Sequence, residues 1–173
     1  ADEQTRVLGA TFGPLRLWNL YVPNGQSVDS DKYRYKLEWL AALRTLLAAE
    51  VARQPLLLVV GDFNIAPEDR DVHNPVAWQG RVLCSPPERA AFAALLGLGL
   101  TDVFRLFEQA PNTFSWWDYR GAGFRRNQGL RIDLMLASAP LSKIGVGCRI
   151  DKEPRGWERP SDHVPVVAEF AIP

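Results

Sequence analysis

The chain has 173 residues, 47% of them hydrophobic and 23% charged, which is enough apolar material to fill the core of one globular domain. Lysine plus arginine and aspartate plus glutamate each number 20, so net charge is zero and any polyanionic partner must be met by local charge rather than by a bulk positive field. The two cysteines build neither a disulfide framework nor a paired CxxC zinc site, and no apolar run approaches the roughly 18 residues of a membrane span, so a soluble protein of the cytoplasm is expected.

Taken in chain order, Leu15 to Val22 (LRLWNLYV) is rich in strand formers and stops at the turn signal PNG, which predicts a first strand. From Ser30 to Arg53, apolar residues recur three or four apart at Tyr33, Leu37, Leu40, Leu43, Leu47 and Val51, the period of an amphipathic helix. Leu56 to Asp62 is a continuous apolar run, the pattern of a strand covered on both faces. A polar loop through His73 and Asn74 follows. In SPPERAAFAALLGLGL, Ser85 is a natural N-cap, the prolines fit the first turn, and Gly97 or Gly99 closes a helix. The remainder reads as the strands TFSWWDYR, LRIDLMLAS, IGVGCRI and VPVVAEF, with the polar loop GAGFRRNQG between the first two. A layered α/β domain with mixed sheets is the expected fold class.

Polar groups gather at the predicted strand ends. Asp62 and Asn64 close one strand in GDFN, Tyr21 closes another, Asp133 interrupts the apolar stretch LRIDLML, and Asp162 and His163 precede the last strand in PSDHVPVV. Alternate residues of a strand point the same way, so Asp62 and Asn64 should face one space. A carboxylate at Asp133 costs several kcal/mol to bury unless something holds it. The chain has two histidines, and His163 is its natural partner. Each residue also has a plain structural explanation, since aspartate and asparagine commonly form turns and caps. As a set they supply what hydrolysis of a phosphate ester needs: oxygen ligands suited to Mg²⁺ or Mn²⁺, a base for water, an amide donor and a histidine held protonated by an aspartate.

GDFN, RIDLML and the terminal SDH resemble the endonuclease/exonuclease/phosphatase superfamily of metal-dependent phosphoesterases. YVPNG, GDFNIAPEDRDV, the SPPER helix, GLTDVFR, FSWWDYRGAGFRRNQGLRIDLMLAS and ERPSDHVPV are similar in order and spacing to its exodeoxyribonuclease III branch. The resemblance implies a four-layer α/β sandwich. It also implies DNA repair chemistry on double-stranded DNA with abasic sites or 3′ ends: cleavage at abasic sites, and removal of nucleotides or blocking groups from 3′ ends. By the same resemblance Tyr21 contacts the scissile phosphate with Asn24 nearby, Asp62 orients the attacking water, and Asn64 stabilises the transition state. Asp133 holds His163 against a phosphate oxygen. The metal ligands come from Asp62, Asn64, Asp162 and His163. Trp116, Leu130 and Ile132 wall a pocket for an extruded, base-free sugar, a nucleotide that is cheap to flip. Arg120, Arg125, Arg126 and Arg131 grip the DNA backbone.

The sequence departs from that family in one respect. Neither the SWNVNG-type first strand nor the LQE motif, whose asparagine and glutamate complete the family's metal site, occurs in these residues. Residues 1–173 therefore read as the C-terminal two-thirds of one domain, with part of one sheet missing, weak or absent activity, and either self-association or a missing N-terminal segment. Two alternatives remain open: a phosphoesterase of the same superfamily acting on inositol phosphates or phospholipids, and a non-catalytic DNA-binding piece.

Overall fold

The structure, a computed structural model, describes residues 4–172. Its centre is a five-stranded sheet in the order β1-β2-β3-β5-β4, built from β1 (Val7–Phe12), β2 (Leu15–Tyr21), β3 (Leu56–Asp62), β4 (Leu100–Asp102) and β5 (Asp133–Ser138). The β2 and β3 strands run parallel, and the long helix α1 (Asp31–Arg53) makes the crossover between them. The sheet is otherwise antiparallel. Ser30 caps α1 by accepting the Tyr33 amide hydrogen, as a serine at a helix start should.

Helix α1 lies on one face with α3 (Pro86–Leu96), whose start is secured by a capping box between Ser85 and Glu88. Leu40, Leu43 and Leu47 of α1 and Phe92 and Leu95 of α3 close over Leu20, Leu57, Val59, Leu134 and Leu136 of the sheet. On the opposite face lies a two-stranded sheet of β6 (Gly145–Ile150) and β7 (Val166–Phe170), preceded by the short helix α4 (Ala139–Ser142). There Cys148, Ala168 and Phe170 pack with Leu141 against Leu15, Leu17, Leu58 and Met135. The expected covering of LLLVV on both faces is seen at its centre: Leu57 and Val59 are sealed by helices, and Leu58 is 7% exposed beneath the second sheet. A one-turn helix, α2 (Pro75–Trp78), sits in the loop after β3.

Other expectations are also revised. TFSWWDYR forms no strand. Its Trp116 makes single bridges to Leu130 and His163, because Phe114 and Trp117 are drawn into a separate cluster with Val164. Asp133 is the first residue of β5 rather than an interruption within it, since Leu130 to Ile132 approach as irregular chain. The β1 hairpin was not foreseen. Its strand is largely exposed and carries no strict alternation of apolar and polar residues.

Arg131 is a further correction. It is 1% exposed and donates to Asp71 at 2.6 Å and to Asp102 at 2.7 Å, so it is a structural ion pair and is unavailable to a DNA backbone. Arg105 also pairs with Asp71. This knot ties the loop after β3 and the end of β4 to the segment that leads into β5. Removing one member leaves charge buried without a partner. Arg131→Leu is expected to lower unfolding free energy by about 3 to 5 kcal/mol in urea titration.

Candidate active site

Strand register sets the site. Tyr21 stands beside Asp62 across the β2 and β3 pair, and Asp62 stands beside Asp133 across the β3 and β5 pair. Three polar residues foreseen from the sequence therefore end three adjacent strands in a single row. His163, in the loop entering β7, completes the row: its Nδ1 lies 2.9 and 3.1 Å from the two Asp133 oxygens.

Gly61 makes the bend possible. Its φ is +132°, and a Cβ there would stand 2.0 Å from the Leu20 carbonyl oxygen. No other residue fits so close to the neighbouring strand.

Asp62 and Asn64 do converge, but through a turn rather than the strand pleat. Asn64 has a left-handed φ of +49°, a conformation asparagine tolerates. Its backbone N–H donates to Asp62 Oδ1 at 2.8 Å, and its Nδ2 donates to Asp62 Oδ2 at 2.9 Å. The other Nδ2 hydrogen goes to the Val22 carbonyl at 2.9 Å, and Asn24 donates to Asn64 Oδ1 at 3.0 Å. Both amide hydrogens of Asn64 are thereby used within the protein. In this arrangement the Asn64 side chain clamps Asp62.

The charges are strained in opposite directions. Burial, and then the neighbouring Asp133 carboxylate, push the Asp62 carboxyl up to about 7. Burial opposes the charge on His163, yet the Asp133 hydrogen bond and the charges of Asp133, Asp62 and Asp162 outweigh it and raise its pKa. These contacts favour the charged imidazole, with Nδ1 directed at Asp133. With Nδ1 committed to Asp133 and its charged form favoured, His163 suits an anion. Folding favours charged His163, so this contribution to stability is complete below its ordinary value of 6.5 and is lost as pH rises through the raised folded value.

Asp162 accepts the Trp116 indole N–H on Oδ2 at 2.9 Å, which fixes both residues beside His163. Among the described residues, no three His, Cys, Asp or Glu side chains converge closely enough to enclose a metal ion. The donors still suit one kind of ion. Mg²⁺ keeps most of its water and needs one or two carboxylates, and a cation would relieve the repulsion between Asp62 and Asp133.

The remaining predicted residues divide. Tyr21 is 52% exposed, and Asn24 lies beside it on a cleft of about 570 Å³ that also includes Arg6, Gln26 and Lys32. Arg6 was not singled out from the sequence. Its guanidinium sits 5.1 Å from the Tyr21 ring centre, a pairing that only the hairpin with β1 creates. Arg120, Arg125 and Arg126 are exposed, although Arg120 is held by Asp118 through a 2.7 Å contact. Leu130 and Ile132 are corrected as pocket walls, being 0% and 2% exposed where they pack with Val72, Leu83 and Cys84. Of the three expected wall residues, Trp116 alone keeps appreciable surface. His73 is half-buried with Nδ1 3.2 Å from the Gly129 carbonyl, a structural role. Burial pushes the Cys84 thiol up to about 12 and the Cys148 thiol up to about 11, which leaves both unreactive. No helix among the described residues is long and apolar enough to cross a membrane.

A carboxylate, an imidazole and a phenol lined up at the end of a central mixed sheet, with oxygen donors for a hard cation, are the groups that metal-assisted phosphoester hydrolysis calls for. The profile of the Endonuclease/Exonuclease/phosphatase family matches residues 2–163, and the chain belongs to that family. It is 39% identical to exodeoxyribonuclease III of Haemophilus influenzae over 98% of this chain and 68% of that protein. Among solved structures, the 3′ phosphatase NExo from Neisseria, bound to a product DNA hairpin, superposes with a TM-score of 0.97 at 44% identity, over 99% of this chain and 66% of that one. An AP endonuclease from Archaeoglobus fulgidus superposes with a TM-score of 0.91 at 37% identity, over 96% of this chain and 65% of that one. The chain thus spans about two-thirds of the length of these relatives.

Asp133→Asn tests the electrostatics directly. Carboxyl and imidazole NMR titrations should show the pKa of Asp62 falling from about 7, because a repelling charge is gone, and that of His163 falling as well, because an attracting one is gone. An unchanged His163 would show that Asp133 is not its partner in solution.

Proposed function

We propose that the chain carries the hydrolytic site of a DNA repair phosphodiesterase that cleaves phosphate esters at 3′ ends and at abasic sites. The observation that carries this reading is the Tyr21, Asp62, Asp133 row with His163 locked to its end. Asp62, with a pKa near neutrality, is suited to take a proton from water at physiological pH. His163, kept protonated by Asp133, presents Nε2–H to a phosphate oxygen and offsets the charge that builds there. Tyr21, the register partner of Asp62, offers its phenol as a donor to the phosphate. Asn64 keeps Asp62 at a fixed angle instead of touching the phosphate.

Asp162 and one oxygen of Asp62 would hold Mg²⁺ or Mn²⁺, with Asn64 Oδ1 as a neutral donor and the other Asp62 oxygen left to take the proton. Such an ion would supply positive charge against the phosphate. One or two carboxylates hold it weakly, so a cation requirement in the millimolar range and slow turnover are expected of this chain.

The relatives' names point the same way: exodeoxyribonuclease III, a 3′ phosphatase with product DNA, and AP endonucleases. Exposed Arg125 and Arg126 and the Arg6 and Lys32 cleft supply local positive charge for the DNA backbone, which a neutral protein needs. A 3′-terminal phosphate requires only the charged row. A flipped abasic sugar would have to rest on Trp116, because Leu130 and Ile132 offer no surface.

Three DNA substrates separate the readings: a duplex ending in a 3′-phosphate, one with a recessed 3′-hydroxyl, and one with a central abasic site, each assayed in Mg²⁺ beside an inositol phosphate. Hydrolysis of DNA but not of the inositol phosphate is expected. His163→Asn should lower turnover by about a hundredfold or more with little change in melting temperature. Cleavage of the inositol phosphate alone, or unfolding of His163→Asn, would overturn the assignment.

A further inference from the structure

The least expected group near the site is a lysine. Lys36 lies on α1, 0% exposed, on the face that otherwise carries Tyr33, Leu40, Leu43 and Leu47. Helix periodicity there calls for an apolar residue. Instead, the Lys36 ammonium donates to the Asn64 carbonyl at 2.7 Å, to the Asn24 carbonyl at 3.1 Å and to Glu88 Oε1 at 2.5 Å. All three of its hydrogens are used.

Glu88 is also 0% exposed. Its other contacts face the loop before α3: the Leu83 N–H at 3.1 Å, the Ser85 N–H at 3.1 Å and the Ser85 hydroxyl at 2.6 Å. The hydroxyls of Ser85 and Tyr33 lie 2.6 Å apart, returning the network to α1. One buried ion pair therefore ties together the loop that carries Asn24, the turn that carries Asn64 and the loop before α3.

A buried ion pair is weak evidence of stabilisation, since a well-packed apolar pair in its place is commonly neutral or more stable. The contacts point to position. Lys36 grips the carbonyl of Asn64, the residue with left-handed backbone, and Asn64 in turn grips both oxygens of Asp62. Asn24, whose carbonyl Lys36 also holds, fixes the Asn64 side chain through Oδ1. An ammonium can satisfy two carbonyls and a carboxylate from one point, which no neutral side chain of this length can do.

We propose that Lys36, with Glu88 as its counter-ion, is a positioning residue that acts through Asn64 to hold Asp62 at the angle its chemistry requires. The proposal rests on the hydrolytic reading of the site, and its test is chosen so that the two can fail separately. Lys36→Met keeps the stem and removes the ammonium. The double variant Lys36→Met/Glu88→Gln also removes the carboxylate charge that the single variant leaves stranded.

Two quantities are measured in each variant. The first is the side-chain amide resonance of Asn64, assigned by its disappearance in Asn64→Asp. The second is turnover of 3′-phosphate DNA, split into kcat and KM. With the fold intact by circular dichroism, the Asn64 amide should move to the position of a solvent-exposed amide. The value of kcat should fall by about a hundredfold, while KM stays within about twofold. A lowered melting temperature with an unmoved Asn64 resonance and unchanged kcat would reduce the pair to scaffolding and overturn the proposal. Loss of the fold in both variants would do the same. If the unsubstituted chain hydrolyses nothing, the hydrolytic reading fails, and the Asn64 resonance alone decides whether Lys36 sets the geometry of the turn.

Discussion

Asp62 and Asp133 are register partners on neighbouring strands, so two carboxylates are placed side by side at the partly buried end of a sheet. Their repulsion organises the surroundings. Asp133 is satisfied by His163, whose charged form is favoured as a result, and Asp62 is left with a pKa of about 7. Burial and the contact with Asp133 together raise the pKa of Asp62, and the same Asp133 carboxylate raises that of His163 against its burial. Tyr21 and the asparagine turn are arranged around that pair.

The scaffold keeps these groups from relaxing apart. Gly61 permits the chain to pass against β2, and Asn64 binds both oxygens of Asp62 while Lys36 holds the backbone behind it. On the other side, the buried knot of Arg131, Asp71 and Asp102 fixes the segment that delivers Asp133. Two buried ionic networks therefore flank the site, one behind each carboxylate. Each holds several segments of the chain from a single buried charge.

Much of this was legible in the sequence. The α1 helix showed in its apolar spacing, β3 in its unbroken hydrophobic run, and α3 in its serine, prolines and following glycine. The six site residues stood out as polar groups at the ends of apolar stretches, and structure brings Tyr21, Asp62, Asn64, Asp133 and His163 together at one end of the sheet. Less was legible where a residue's role depends on a distant partner. Arg131 and its neighbouring arginines look alike in sequence, yet Arg131 is sealed between two aspartates while Arg125 and Arg126 face solvent. Leu130 and Ile132 look like pocket walls until Val72 and Leu83 are packed over them.

The sequence by itself determined the class of fold, the location of the strand ends and the kind of chemistry available there. Periodicity and side-chain type are local properties, and they survive without coordinates. Tertiary structure alone decided which charges became partners, that the amide of Asn64 is spent on Asp62, and that a lysine lies beneath the site. Those outcomes depend on distances between residues far apart in the chain. In a low-dielectric interior, a few ångströms decide whether a charge is neutralised, displaced in pKa or held ready for use.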